Sequence, residues 1–388
     1  MYSNNSDLFL SRLMQDLNLE TIYNECNSHH ILYQAEKLFM EIYDIEDSIN
    51  TLIDKLINLL IKSQDEGNNF NETEHFINHC IFLSTRNSYE IFEWLKENQV
   101  KSHYQFFLGI IYYNVEKNFN EAYKLFYKAS EDNYPIAQVY LANCYKTGFG
   151  TEINYKLAFK WMQKAAENES ICGQLNLGIY YDNSIGTDSN LDKAIYWYQK
   201  SANNGNLCGL FILGRCNELG IGIEKNENKA FEIYKRFHEN DFINGKYKLG
   251  ICYYFGIGTE VNKKESFKIC KDLAEKGLEN AQAFLGYLYN QAADNGDDFG
   301  LYNLGEHYEL GNGVNKDEIK AFVYYKKSAE NGLVDANFYL GYCYLNGIGT
   351  EINKEIGYKL YNEATGKGDI SEKALELYKI AAEEGSKL

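Results

Sequence analysis

Apolar residues recur three and four positions apart along most of the chain, and from residue 103 onward they do so in a fixed rhythm. Three consecutive stretches, LNLGIYYDNSIGTDSNLDKAIYWYQKSANNG, FILGRCNELGIGIEKNENKAFEIYKRFHEND and YKLGICYYFGIGTEVNKKESFKICKDLAEKG, place a Leu-Gly pair at Gly178, Gly214 and Gly250, a period of 36 residues. Self-similarity at that period marks a structural unit that stacks on its neighbours. Within each copy the pattern predicts a short helix, a Gly-x-Gly turn, and a second helix. A recurring Asn stands four residues before a small residue, in the pairs Asn190/Ala194, Asn226/Ala230 and Asn262/Ser266. Such an Asn can accept the amide hydrogens that the first turn of a helix leaves without partners, so it reads as an N-cap.

The marker continues on both sides at Gly109, Ala142, Gly286, Gly305 and Gly341, with successive gaps of 33, 36, 36, 36, 36, 19 and 36. The gap of 33 reflects a first copy without the Gly-x-Gly loop. At the gap of 19 the chain passes directly from LGYLYN to QAADNG. Either the stack is kinked where Leu285 to Asp294 becomes one continuous helix, or segments of the gene were skipped. The last copy is also truncated, because SEKALELYKIAAEEG follows Asp369 with no first helix before it. Residues 1–102 carry no repeat. Their apolar spacing predicts helices within Leu8 to Tyr23, Ile31 to Ile61 and Phe76 to Leu95, divided by polar stretches such as EGNNFNETE. The expected architecture is all-α: an α-solenoid, or superhelix, of antiparallel helix pairs over 103–388 in about seven to nine units, with a small helical region at 1–102. That region is expected to cover the apolar face of the first repeat, since a bare solenoid end would aggregate.

Composition sharpens this picture. Of 388 residues 45% are hydrophobic, enough for a packed core, and a single proline against 31 glycines leaves helix interiors unbroken. The formal charge of −17 and pI near 5.0 oppose binding to nucleic acid or anionic lipid and favour basic peptides or basic protein faces. Nine cysteines include Cys144, Cys216, Cys252 and Cys343 at one repeat position and Cys172 and Cys208 at another. Equivalent positions in successive repeats suit small buried apolar residues in the reduced state. The N-terminus lacks the pattern of a signal peptide, and LIDKLINLLI is too short and too interrupted to span a bilayer.

The pattern L-G-x-x-Y-x-x-G-x-G-x-x-x-N/D-x-x-K-A-x-x-x-Y-x-K-A-A-E-x-G resembles the Sel-one-like repeat (SLR), a relative of the tetratricopeptide repeat. Leu340, Gly341, Tyr344, Gly347, Gly349 and Asn353 carry it, as do Lys320, Ala321, Tyr325, Lys327, Ala329, Glu330 and Gly332. The run of helices ahead of the repeats is similar to that of fungal SLR proteins associated with kinase-like domains. In the family the first helices line a concave face that holds a protein or peptide. Two slots are carried over: the residue two before the marker's leucine, and the residue after its glycine. Of these, Phe106, Ile110, Leu175, Ile179, Phe211, Arg215, Tyr247, Ile251, Tyr302, Phe338 and Tyr342 are the candidate partner contacts. Aromatic anchors among polar positions suit a peptide groove. Packing between neighbouring repeats is the competing role for several of them. Gly205, Gly277, Gly296, Gly332, Gly368 and Gly385 are expected to close the second helices in the left-handed conformation.

Other motifs have the spelling of chemical sites. Asp298-Phe299-Gly300 spells the metal-binding triplet of protein kinases, but the companion kinase motifs are missing. The Gly-x-Gly pairs join two helices and lack the third glycine of a dinucleotide site. Cys26-x2-His29 and His75-x3-His79-Cys80 have ligand-like spacing. The SLR family has bacterial members linked to β-lactam hydrolysis, but no S-x-x-K supplies an acylating serine here. Ser386-Lys387-Leu388 spells a peroxisomal address preceded by Glu383 and Glu384.

The chain thus reads as a non-enzymatic adaptor or scaffold, with no cofactor and no metal, that binds a protein or peptide partner of basic character. It is expected to bind no nucleic acid and to insert in no membrane. Two alternatives remain: a regulatory region with a kinase partner, and a hydrolase-like enzyme with a site around His75 and His79. The expected compartment is the cytoplasm, with the peroxisomal matrix as alternative.

Overall fold

The computed structural model describes residues 49–66, 88–238, 242–312 and 314–365, and among these every regular element is a helix. Helices α1 (Ile49–Glu66) and α2 (Ser88–Glu97) precede the repeats. Four helix pairs follow: α3 (Ser102–Asn114) with α4 (Phe119–Glu131), α5 (Pro135–Thr147) with α6 (Tyr155–Glu167), α7 (Ile171–Asp182) with α8 (Leu191–Asn203), and α9 (Leu207–Leu219) with α10 (Glu227–Lys235). A 3-10 turn, Arg236–His238, extends α10, and α11 (Ile243–Phe255) comes next. The remaining helices are α12 (Lys263–Glu275), α13 (Glu279–Asp294), α14 (Asp298–Leu310), α15 (Glu318–Glu330), α16 (Val334–Asn346) and α17 (Lys354–Thr365). The contacts define two compact units, one ending at Val261 and the other starting at Asn262. Within each unit, sequence-adjacent helices from α2 onward pack on one another.

The expected caps are present. Asn190 and Asn226 accept from the backbone N–H of Lys193 and Lys229, both at 2.9 Å, and Asn262 accepts from Glu265 at 3.1 Å. Asn118, Asn154, Asp317 and Asn353 do the same for α4, α6, α15 and α17. Each such cap stabilises its helix by about 1 kcal/mol. Among the closing glycines, Gly205, Gly277, Gly296 and Gly332 have φ values between 78° and 105°, while Gly368 and Gly385 lie outside the described residues.

The Leu-Gly marker has a packing cause. A Cβ on Gly178 would approach the Tyr198 ring to 2.6 Å, one on Gly214 the Tyr234 ring to 2.6 Å, and one on Gly305 the Tyr325 ring to 2.8 Å. Hydrogen at this position lets the tyrosine of the second helix lie flat on the first, and Ala158, Ala194, Ala230 and Ala321 bring the second helix equally close.

The irregular copy is built as one helix of 16 residues, α13, in place of a pair. It packs along α12, with Gln282 Nε2 donating to the Ala274 carbonyl at 3.2 Å and Phe267 edge-on to Tyr289. Its last turn sets Ala292 and Ala293 against Gly300 of α14, as Ala165 and Ala166 of α6 sit against Gly173 of α7. One continuous helix therefore serves as first helix to one neighbour and as second helix to the other. The missing partner helix leaves Gly286 with only His307 Nδ1 and the Val314 side chain within 4 Å of an added Cβ.

Of the described N-terminal helices, α2 packs on α3, with Phe92 edge-on to Tyr112 and Trp94 edge-on to Tyr104. Helix α1 does more, because it reaches α3, α5, α7 and the cap of α9.

Candidate partner-binding face

Nine of the eleven candidate contacts lie in the packed interior: Phe106, Ile110, Leu175, Phe211, Arg215, Tyr247, Ile251, Tyr302 and Phe338 are each 8% exposed or less. Ile179 and Tyr342 are partly exposed. The reason is visible in the rings. Phe106 meets Phe126, Tyr134 and Tyr140; Phe211 meets Tyr234, Phe237 and Phe242; Tyr302 meets Tyr325 and Tyr339; Phe338 meets Tyr361. At Phe106, Phe211 and Tyr302 the slot two before the leucine therefore joins a first helix to its own second helix and to the next repeat, and at Phe338 it joins the first helix to its second.

The first helices also carry a buried polar row. Glu218 Oε1 lies 3.2 Å from Lys248 Nζ, and the Tyr234 hydroxyl donates to Glu218 Oε2 at 2.7 Å; all three side chains are buried. Burial foremost, and then the Glu218 charge, pushes the Tyr234 hydroxyl far above its ordinary pKa, with Arg215 opposing. The same tyrosine-to-carboxylate bond recurs from Tyr198 to Asp182 at 3.2 Å and from Tyr325 to Glu309 at 2.6 Å. Sequence reading passed over this pairing. Its signal is an acid four residues after the marker glycine with a tyrosine twenty after it.

The N-terminal edge of the first helices in the first unit is occupied by α1. Asp65 Oδ1 accepts from the backbone N–H of Cys172 at 3.2 Å, in the first turn of α7, and the Asp65 carbonyl accepts from Asn206 Nδ2 at 2.9 Å. Asp54 Oδ1 stands 3.3 Å from His103 Nε2 in the first turn of α3, and the Gln64 amide donates to the Tyr140 hydroxyl. Leu52, Ile53, Leu56, Ile57, Leu59 and Leu60 of α1 are buried. Both acids of α1 thus sit at helix N-termini, where the peptide dipoles favour negative charge. Desolvation holds His103 below the usual histidine pKa, against the upward pull of Asp54.

The motifs that spell chemical sites fall into structural roles or outside the described residues. Asp298-Phe299-Gly300 opens α14, where Asp297 accepts from the Gly300 N–H at 2.6 Å and Asp298 Oδ1 from the Phe299 N–H at 2.9 Å. Among the described residues no group of His, Cys, Asp and Glu is placed to hold a metal ion, and no helix is long and apolar enough to cross a membrane. The seven described cysteines are buried and free of disulfides, and burial pushes the thiols of Cys144, Cys216, Cys252, Cys270 and Cys343 up to about 12. Such thiols stay protonated and pack as small apolar groups. Cys26, His29, His75, His79, Cys80 and Ser386-Lys387-Leu388 lie outside the described residues.

The Sel1 repeat pattern matches residues 102–134, 135–170, 173–206, 209–237, 244–278, 280–297, 299–333, 334–369 and 366–386. The chain belongs to the Sel1 repeat family. Sel1 repeat proteins generally mediate protein–protein interaction, and their helical arrays are typically non-enzymatic scaffolds. The chitin synthase regulator SKT5 of Saccharomyces cerevisiae is 39% identical over 85 residues, which make up 21% of this chain and 12% of the yeast protein. Among solved structures, a Sel1 repeat protein from Oxalobacter formigenes is 28% identical, with a TM-score of 0.44 over 67% of this chain and 98% of that one. A protective antigen of uropathogenic Escherichia coli, c5321, is 22% identical, with a TM-score of 0.49 over 95% and 91% of the two chains. The Sel1 consensus positions here are the caps, the small residues and the tyrosines that hold each pair together. The acids of α1 and their seats on α3 and α7 lie outside that consensus.

Proposed function

We propose that this Sel1 repeat chain is a scaffold that holds a protein or peptide partner on the face of its first helices. The observation that carries the reading is α1, an amphipathic helix already seated on that face through side-chain and main-chain hydrogen bonds. Binding of this kind needs only an array of helix ends and apolar slots, which the repeats supply in series. The charge of −17 selects partners with basic surfaces, and the compartment is the cytoplasm. Ile179 and Tyr342 are the two candidate contacts that a partner reaches without repacking the interior. Affinity purification with the full chain, compared with Ile179→Asp and Tyr342→Ala variants of unchanged circular dichroism, tests the reading. Loss of specific partners from the variants is expected, and an identical partner set would count against this face.

A narrower form of the same reading is a regulatory subunit of an enzyme complex. The stretch shared with a chitin synthase regulator favours it, and a kinase as the bound enzyme is the other form it takes. Co-purification of a glycosyltransferase or a kinase at fixed stoichiometry decides between them, and recovery of neither removes the narrower form.

A further inference from the structure

Helix α1 is held by the repeats as a ligand is held. The helix pairs of the second unit close on the same contacts as those of the first: Tyr325 lies against Gly305 as Tyr198 and Tyr234 lie against Gly178 and Gly214. They do so with no described helix laid across them. Closing a repeat pair therefore does not depend on α1. Its polar ties are made chiefly to groups that a first helix offers at its start. Asp65 Oδ1 takes the Cys172 N–H in the first turn of α7 at 3.2 Å, one of the amides that a helix leaves without an internal partner. Asn206 accepts from the Gly209 N–H at 2.8 Å to cap α9, and its Nδ2 donates at 2.9 Å to the Asp65 carbonyl, in the last turn of α1 where a helix leaves its carbonyls unpaired. The Asp54–His103 pair is partly exposed at both ends and adds little.

What the seat reads is thus a short pattern. Leu52, Ile53, Leu56, Ile57, Leu59 and Leu60 form one buried apolar face, and a Gln-Asp pair follows in the last turn. Asn58 and Lys62 lie on the outer side, exposed. Nothing in this pattern requires that the helix belong to the same chain. Exchanging α1 for a helix of the same pattern exposes one apolar face and buries an equal one, so the two burial terms cancel. The advantage left to α1 is its covalent attachment, an effective concentration of about 1 mM. A partner at micromolar concentration must then bind about 1000-fold more tightly than the α1 sequence itself to hold half of the seats.

We propose that α1 is an intramolecular latch on the seat formed by the starts of α3, α7 and α9 and by Tyr140 of α5, and that an amphipathic helix of a partner protein, with the apolar spacing of α1 and an acid in its last turn, takes that seat by displacing it. The inference rests on the scaffold reading above and adds which segment of a partner is recognised and what competes with it.

The test uses the full chain, a full-chain variant carrying Leu56→Asp and Leu60→Asp, and a fluorescent 18-residue peptide with the α1 sequence. The two substitutions put charge on the buried face of α1 and leave every repeat residue unchanged. The peptide is expected to bind the variant about 100-fold more tightly than the unaltered chain, whose attached α1 competes with it. A peptide carrying Asp65→Lys should bind the variant about tenfold more weakly, having lost the bond to the Cys172 amide. Cys172, 2% exposed at the seat, gives a second readout. Its thiol should react with a maleimide faster in the variant, and the α1 peptide should protect it again. Equal peptide affinity for the two chains, or a Cys172 that stays unreactive in the variant, overturns the proposal. So does loss of the repeat helices in the variant by circular dichroism, because α1 would then belong to the core of the array. Equal peptide affinity, with partners still lost from Ile179→Asp, removes the latch and leaves the scaffold reading standing. A peptide held off by α1, with a partner set unchanged by Ile179→Asp and Tyr342→Ala, keeps the latch and counts against the contacts assigned to the scaffold.

Discussion

Lys248 and Ile212 occupy the same slot in successive repeats, two residues before the marker glycine, yet one carries a buried charge and the other none. Lys248 is matched by Glu218, which also accepts from Tyr234; the Asp182 carboxylate, one repeat earlier, accepts from the Tyr198 hydroxyl, and burial raises its pKa. Taking one partner from a buried ion pair leaves the other desolvated, at a cost of about 3–5 kcal/mol. Lys248→Ile should therefore destabilise the first unit by about 3 kcal/mol in urea titration, since Tyr234 still serves Glu218; a loss under about 1 kcal/mol would mean that the pair behaves as if exposed. His307 offers the pH-dependent counterpart. It is buried, with Nδ1 2.7 Å from the Asn312 carbonyl and its ring edge-on to Tyr289. Desolvation lowers its pKa from 6.5 against the upward pull of Asn312 and Glu306, so the folded state favours the neutral ring. Its contribution is complete above the unfolded value of about 6.5 and is lost as pH falls through the lower folded value. Melting temperature should drop between pH 7.5 and 5, and His307→Gln should flatten part of that drop; identical slopes would show that His307 does not titrate in this range.

Two glycines with the same place in the repeat should answer alanine in opposite ways. Gly214 lies against Tyr234 of its second helix, where a methyl would come within 2.6 Å of the ring, whereas Gly286 of α13 has no second helix and its nearest atom stands 3.6 Å away. Gly214→Ala should lower stability by about 1–3 kcal/mol through overpacking. Gly286→Ala should raise it by about 0.5–1 kcal/mol, the helix propensity gained without a clash. Thermal melts of the two variants check the pair, and a loss at both would mean that α13 is crowded from a direction the packing does not show. The caps at Asn190, Asn226 and Asn262 and the continuous α13 were legible because they depend on residues a few positions apart. The direction of each side chain was less legible. Phe106 and Phe338 share a periodic slot, but periodicity alone does not tell a groove-facing ring from one pressed into the next repeat. The tyrosine-to-carboxylate bonds span sixteen residues across a loop, and they emerge only when the repeats are compared by position.

On the scale of the molecule, α1 changes how the first unit should unfold. Stacked repeats touch only their neighbours, so an array without other ties tends to lose its ends before its middle. Residues 1–102 carry no repeat phase, and nothing in their spacing predicts bonds from Asp65 to Cys172 and Asn206, 107 and 141 residues away. Those bonds, with six buried Leu and Ile side chains each worth about 1.5–3 kcal/mol, tie α3, α5, α7 and α9 into one block. The second unit has no described helix laid across its repeats in this manner. All three tryptophans, Trp94, Trp161 and Trp197, belong to the first unit, so their fluorescence follows that block alone. In urea the fluorescence should change in one steep step while the helical circular dichroism also changes outside it. Removing residues 1–66 takes away the tie, and the fluorescence transition should then move to lower urea and broaden as the repeats part from one another. A milder change, Asp65→Ala, keeps the apolar contacts and removes the bond to the Cys172 amide; exchange of that amide with solvent should quicken while Trp fluorescence stays folded. An unshifted, equally steep transition in the shortened chain would mean that nearest-neighbour stacking alone holds the first unit together.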